Sequence, residues 1–378
     1  MEEYEVLLWA IYKLAQLYRD RGKLDEAEKM FLRALKGREK TLGAEHTSTL
    51  DSVHCLATIY KDKGKLEEAE KMFLWALEGY EKALGAEHTS TLLMVNNLGI
   101  LYRDRGKPDE AEKMYLRALK GKEKALGAEH TSTLDSVHCL ATIYKDKGKL
   151  EEAEKMYMRA LEGYAKALGA EHTSTLLAVN NLGSLYRDRG QLDKAEKMFL
   201  RALEGYEKAL GAEHTSTLLT VNNLGSLYRD QGKLEEAEKM FLRALERYEK
   251  TLGAEHTSTL LAVNNLGGLY GDRGQLDEAE KMYLRALEGY EKALGQANIL
   301  TFIRALNTMS GLAFLFDRQN RVEDARTLYS KTLSGYRKVV GDNHIRCQTL
   351  RDNLAALAKE TRLTVRPTAN HQPPDTKY

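Results

Sequence analysis

The sequence predicts an all-α fold, a right-handed superhelical solenoid of antiparallel helix pairs in 42-residue units. Three observations predict it. The dipeptide Leu-Gly returns every 42 residues, at Leu42-Gly43, Leu84-Gly85, Leu126-Gly127, Leu168-Gly169, Leu210-Gly211, Leu252-Gly253 and Leu294-Gly295. A period of this length marks one stacked array in place of the two or three globular domains that 378 residues would suggest. Only four prolines occur, three of them in the last dozen residues, and the body is rich in Ala, Leu, Glu and Lys. Within each period, apolar residues recur at three- and four-residue spacing in two separate runs.

The unit 214–253 shows how each element arises. In its first half Val221, Leu224, Gly225 and Tyr228 lie at i, i+3, i+4 and i+7, one face of a helix. Thr215, Ser216 and Thr217 offer capping hydroxyls at its start. Gly232 ends it, as a residue suited to the left-handed position after a helix. Gly22, Gly64, Gly106, Gly148, Gly190 and Gly274 hold the same slot, and Asn320 holds it in the eighth unit. The second helix carries Leu234, Ala237, Phe241, Ala244, Leu245, Tyr248 and Leu252. Glu235 and Glu236 fall in its first turn, where they complement the helix dipole. Glu235–Lys239 and Glu246–Lys250 are i,i+4 pairs in the favourable order. Pro108 opens this helix in the third unit, where no hydrogen bond is lost. Gly37, Gly79, Gly121, Gly163, Gly205, Gly289 and Gly335 sit inside second helices, each at a cost of about 1 kcal/mol against Ala. Close approach of a neighbouring helix would explain them, although Arg247 takes the slot in the sixth unit.

The order Val221-x2-Leu224-Gly225-x2-Tyr228, then Gly232, then Ala237-x3-Phe241-x2-Ala244, resembles the tetratricopeptide repeat. The 42-residue period, the longer second helix, the Leu-Gly-x-x-His linker and the Asn222-Asn223-Leu224 run look like its kinesin-light-chain class. The wording LGAEHTSTL…NNLG…DRGKLDEAEKM is similar to repeat arrays of fungal nucleotide-binding immune-receptor-like proteins. The resemblance covers about residues 4–360. It implies an inner groove in which the second Asn of each pair clamps the backbone of a bound peptide.

Along the chain, residues 1–360 read as one solenoid, with units ending near 42, 84, 126, 168, 210, 252, 294 and 340. The eighth unit is expected to carry a first helix, Ile299–Asp317, one turn longer than the others. A helix over 344–362 is expected to cap the array, because terminal units must shield the end of the core. Residues 363–378 read as a disordered polar tail. The first helix, Tyr4 to Tyr18, is apolar on more than one face, which suits end-to-end or upstream-domain contact. Units two and four differ at only four positions (Phe73/Tyr157, Leu74/Met158, Trp75/Arg159, Glu81/Ala165), the mark of a copied 84-residue block.

Composition excludes several function classes. Lys+Arg 57 against Asp+Glu 56 leaves a net charge of +1, so no global field recruits nucleic acid or an anionic membrane. Cys55, Cys139 and Cys347 give neither a disulfide framework nor a zinc spacing. No basic leader and no membrane-length apolar run occurs, and a cytoplasmic protein is expected. Neither a Gly-rich phosphate loop, a nucleophile elbow nor an HExxH sequence is present. The expectation is therefore no catalytic residue, no cofactor and no metal.

The helical wheel places Leu219, Asn222, Asn223, Ser226 and Asp230 opposite the packed face. The candidate peptide groove is thus Asn96-Asn97, Asn180-Asn181, Asn222-Asn223 and Asn264-Asn265, with Arg103, Arg187 and Arg229 at the helix ends. A carboxamide both donates and accepts, so a ladder of them can pair with any peptide backbone. The other reading is that these amides bond neighbouring helices. Substituting Asn181, Asn223 and Asn265 by Ala is expected to weaken partner binding with little change in melting temperature. Units two and four carry His54-Cys55 and His138-Cys139 instead, too divergent on a helix to close a four-ligand site. Arg or Lys alternates with Asp at each helix end (Arg19-Asp20 through Arg229-Asp230), as a self-neutralising face would. His46, His88, His130, His172, His214 and His256 recur singly in linkers, where capping a helix end is their expected role. The function expected is a non-enzymatic scaffold binding an extended peptide or helix of another protein. The alternatives are the sensor region of a nucleotide-binding immune-type receptor and a kinesin light chain cargo adaptor.

Overall fold

A computed structural model describes residues 2–21, 23–342 and 344–364, and every regular element among them is a helix. Seven pairs follow in order: α1 (Glu2–Asp20) with α2 (Leu24–Leu42), α3 (Thr47–Asp62) with α4 (Leu66–Leu84), α5 (Thr89–Asp104) with α6 (Pro108–Leu126), α7 (Thr131–Asp146) with α8 (Leu150–Leu168), α9 (Thr173–Asp188) with α10 (Leu192–Leu210), α11 (Thr215–Asp230) with α12 (Leu234–Leu252), and α13 (Thr257–Asp272) with α14 (Leu276–Leu294). Then come a single turn α15 (Gln296–Ile299), the pair α16 (Ile303–Arg318) and α17 (Val322–Val340), and α18 (Ile345–Thr364).

The linker histidines start the first helices. His214 has extended backbone, and its Nδ1 accepts the Ser216 N–H at 3.2 Å; His46, His88, His130, His172 and His256 do the same. The threonine hydroxyls expected as caps work in the opposite direction. Thr217 Oγ1 donates to the Gly211 carbonyl at 2.8 Å, tying the new helix to the end of the old one. Gly232 has φ 74°, and Asn320, in the same slot, is the one non-glycine with positive φ among the described residues.

Fully buried rings fill the second helices, including Phe31, Phe73, Tyr115, Tyr157, Phe199 and Phe241. The interior glycines receive a leucine from the N-terminal half of their partner helix. A Cβ at Gly79 would lie 2.5 Å from a Leu50 methyl, and one at Gly163 2.6 Å from Leu134. Since the obstacle is the flexible end of a leucine, the slot can admit a side chain that leaves outward. Arg247 does so, and its guanidinium reaches Glu213 at 2.7 Å.

Ion pairs join units more than they brace single helices. Lys63 meets Glu28 at 2.5 Å, Lys147 meets Glu112 at 2.5 Å, Arg273 meets Glu238 at 2.6 Å, and Arg105 and Arg189 bind Glu70 and Glu154 likewise. The expected Glu235–Lys239 and Glu246–Lys250 pairs give way to the same habit: Glu235 lies 3.8 Å from Arg273, and Lys250 lies 3.2 Å from Glu213.

The eighth unit departs from expectation. Its first helix is not longer: α16 has 16 residues, like α13. The four extra residues form α15 in the linker, which buries Ile299 and sets Phe302 edge-on against Tyr290, ring centroids 5.5 Å apart. A linker can absorb a turn without disturbing stacking registers on either side, whereas a longer helix cannot. At the C-terminal end, α18 buries Cys347, Leu350 and Leu357 in the last core cluster. The expected tail lies outside the described residues apart from 363–364, which end α18. At the other end α1 leaves Val6, Trp9, Leu14 and Leu17 exposed.

The array coils until distant units meet. Gly64 in unit two lies beside Leu294 at the end of unit seven, and Gly106 in unit three lies against Val339 and Val340 at the end of unit eight. A Cβ at Gly106 would come within 2.7 Å of the Val339 carbonyl oxygen. Among the described residues no helix is long and apolar enough to cross a membrane.

Candidate functional site

The first helices line the inner side of the coil. Each packs against its own second helix and that of the preceding unit, and successive first helices also touch: α5 with α7, α9 with α11, α11 with α13, α13 with α16. That third set of neighbours decides where the asparagines go. Asn96, Asn180 and Asn222 are buried between first helices, while Asn97, Asn181, Asn223, Asn264 and Asn265 are half-buried at the surface.

The amides form a ladder across units. Asn223 Nδ2 donates to Asn180 Oδ1 at 3.2 Å, and Asn265 Nδ2 to Asn222 Oδ1 at 3.0 Å. Asn180 and Asn264 each donate to the next residue, Asn181 and Asn265, at 3.3 Å. Where histidine replaces the first amide, the ladder continues: Asn97 Nδ2 lies 2.9 Å from His54 Nε2, and Asn181 Nδ2 lies 2.7 Å from His138 Nε2. Asn96 Oδ1 instead accepts from Ser136 Oγ at 3.2 Å.

This geometry changes one expectation. Replacing Asn181, Asn223 and Asn265 together by Ala strips an inter-unit bond from His138, Asn180 and Asn222. Each lost bond to a buried partner costs about 1 kcal/mol. The melting temperature of the triple variant should therefore fall by several degrees, measurable by circular dichroism.

Beside the half-buried amides runs a row of exposed leucines, Leu93, Leu177 and Leu219. In units two and four the row is interrupted by Asp51 and Asp135, which accept hydrogen bonds from Tyr80 and Tyr164. The basic groups at the helix ends bridge forward to the next unit. Lys145 reaches Asp188 at 2.9 Å, Arg187 reaches Asp230 at 3.6 Å, and Arg229 reaches Asp272 at 3.6 Å, while Arg103 pairs with Asp104 at 3.0 Å.

Burial pushes the Cys55 and Cys139 thiols up, so neither is primed as a nucleophile. Cys55 shares a hydrogen bond of 3.1 Å with the Tyr12 hydroxyl. Among the described residues, no group of three or more His, Cys, Asp or Glu side chains is placed to hold a metal ion.

One feature of the inner face was missed in the sequence. Unit seven carries Gly268 and Gly271 where unit six has Ser226 and Arg229. They open a recess of about 160 Å³ between α11, α13 and α16, lined also by Arg229, Tyr283, Phe314 and Arg318. The signal was available as a break in the repeat, Tyr270-Gly271-Asp272 against Tyr228-Arg229-Asp230.

Stacked helix pairs with an amide-lined inner face define a helical-repeat solenoid. The chain belongs to the tetratricopeptide-repeat family. Tetratricopeptide repeat models match residues 6–82, 49–124, 131–208, 175–250 and 214–292, and a second such model matches 305–346. Among solved structures, the chain is similar to a putative kinesin light chain of Podosopora anserina with nearly identical TPR-like repeats. Identity there is 30%, over 54% of this chain and 96% of that one, with TM-score 0.46. The fold is also that of the apo quorum sensor NprR from B. thuringiensis (16% identity, 88% of each chain, TM-score 0.62). The Rap conjugation gene regulator of plasmid pLS20, solved with the Phr* peptide, shares it as well (16% identity, 77% of this chain and 75% of that one, TM-score 0.60). No curated protein matches this chain in sequence.

Proposed function

We propose that the protein is a scaffold that binds an extended segment of a partner protein along the inner face of its coil. The observation that carries this reading is the pairing of half-buried amides with exposed leucines on that face in units three, five and six. Asn97, Asn181, Asn223 and Asn265 each retain hydrogen-bonding capacity beyond the single inter-unit bond. Leu93, Leu177 and Leu219 offer apolar contact to alternate side chains of a bound strand. Such recognition reads backbone first and side chains second. A protein of the same fold holds a peptide, as the Phr* complex of the pLS20 regulator illustrates.

A phage-displayed library of random dodecapeptides, selected on the immobilised chain, tests the reading. Peptides recovered on the wild-type chain should bind the Leu177→Lys/Leu219→Lys variant at least tenfold more weakly. Both leucines are exposed, so the denaturation midpoint should stay put. Equal binding to the variant would place the peptides elsewhere and end the groove reading.

A further inference from the structure

The recess between units six, seven and eight is built differently from the rest of the inner face. In unit four the corresponding tyrosine, Tyr157, is satisfied by Thr142, hydroxyl to hydroxyl at 2.9 Å. In unit seven the threonine slot is Gly268, and the Tyr283 hydroxyl has no hydrogen-bond partner among the described residues; the hydroxyls of Tyr115 and Tyr329, in the same slot of units three and eight, also lack one but are sealed in the core, whereas that of Tyr283 faces the recess. Its hydroxyl sits between two glycines: a Cβ on Gly311 would lie 3.0 Å from that oxygen, and one on Gly268 3.5 Å from it. Arg229 Nη1 hangs over the same spot, 2.7 Å from the Gly268 Cβ position. On the far wall Arg318 spends one N–H on the Gly271 carbonyl at 2.6 Å, while the side-chain position of Gly271 itself stays open, with Ala279 Cβ 4.0 Å away. The acid that lines the recess, Asp272, is already engaged by Arg229 Nε at 3.6 Å.

The groups converging on the recess are therefore two guanidiniums, a hydroxyl with its proton unspent, and one neutralised acid. Donors outnumber acceptors there, and two guanidiniums against one carboxylate leave the local charge positive. At about 160 Å³ the recess is large enough to admit a carboxylate side chain. Phe314, 55% exposed, stands at the rim and offers a ring face to the methylenes or neighbours of an entering side chain.

We propose that this recess is a carboxylate-binding subsite of the inner groove, taking the side chain of an aspartate or glutamate in the bound segment. The carboxylate accepts from the Tyr283 hydroxyl and from Arg229 and Arg318, the bidentate geometry for which guanidinium is suited. The subsite rests on the groove reading, and it makes unit seven the place where a backbone-reading groove becomes selective.

The dodecapeptide selection tests it, with Gly271→Arg and Tyr283→Phe as variants. Gly271→Arg restores the residue of units three, five and six, so it fills the recess with a side chain the repeat accommodates. Tyr283→Phe removes only the unpartnered hydroxyl, and Phe241 and Phe199 hold that slot elsewhere. Peptides recovered on the wild-type chain should carry Asp or Glu at one fixed position. As synthetic peptides with amidated C-termini, they should lose tenfold or more in affinity when that Glu becomes Gln, or Asp becomes Asn. The same swap should cost twofold or less on Gly271→Arg, and an intermediate factor on Tyr283→Phe. Groove-bound peptides with no acidic position overturn the subsite and leave the groove standing. So does an acid-to-amide penalty equal in all three chains. Binding that requires a free C-terminus assigns the carboxylate to the chain end and overturns the side-chain assignment. No enrichment on the wild-type chain overturns the groove reading itself.

Discussion

Phe241→Ala is expected to cost the chain about 3–5 kcal/mol, the range for emptying a buried aromatic site. The ring is fully buried in the middle of the array and packs against Gly225, whose Cβ, if present, would lie 2.8 Å from it. Ala57 and Ala141 occupy that slot opposite Phe73 and Tyr157, so a methyl is accommodated. A leucine is not, because the Met240 Cβ lies 3.2 Å away on the other side and cannot yield. Gly225→Leu alone should therefore destabilise by about 1–3 kcal/mol through overpacking. In the double variant the new leucine enters the space the ring has left, and the combined loss should fall short of the sum of the two. Each unit touches mainly its neighbours, so the damage should stay local. Guanidinium titration followed by circular dichroism should then show Phe241→Ala unfolding in two steps. Hydrogen exchange should assign the earlier step to α11 and α12. A single transition at the wild-type midpoint would contradict the packing described.

The second large effect depends on pH. Burial, aided by the Arg103 guanidinium, holds the His138 imidazole down at about 4, and burial lowers His54 as well. Asn181 Nδ2 points at His138 Nε2, so that nitrogen accepts and the ring proton sits on Nδ1, which is buried without a partner. Between pH 6.5 and about 4 the unfolded chain binds a proton at His138 that the folded chain refuses. Stability from this residue is therefore complete above pH 6.5 and drains as the pH falls, by about 1.4 kcal/mol per unit. Neighbouring units supply the control, since Asn96, Asn180 and Asn222 hold the same slot. The His54→Asn/His138→Asn variant should lose roughly 2 kcal/mol less than wild type between pH 7.5 and 5.0. Thermal melts at the two pH values measure the difference, and parallel losses in the two chains would remove the histidines as its source.

The period and the two apolar runs make the helix pairs legible in the sequence alone, because every unit repeats the same pattern. The charge pattern was less so. A helical wheel sees Glu235 and Lys239 as partners, but Arg273 in the next unit is also within reach, and stacking brings it there. The wheel failed in the same way at the candidate site. It gives a first helix two faces, one packed and one open, whereas in a stacked array that helix has neighbours on three sides. Asn222 falls on the third and is buried, while Asn223, one residue on, reaches the surface. The recess at Gly268 and Gly271 is hard to read from sequence for another reason. The repeat pattern defines the packed positions, whereas this feature arises where one unit departs from the pattern, and its depth depends on Arg318 and Phe314 from the next unit.

The meeting of Gly106 with Val339 and Val340 fixes the pitch at about five units per turn. Recombination between near-identical units adds or deletes whole units, and the twinned units two and four show that it has acted in blocks of 84 residues. One further block would advance everything downstream by about two-fifths of a turn. The recess would then look across the coil at a different wall. Copy number in such a gene works as an angular setting, one that changes which surfaces confront each other without altering a single side chain.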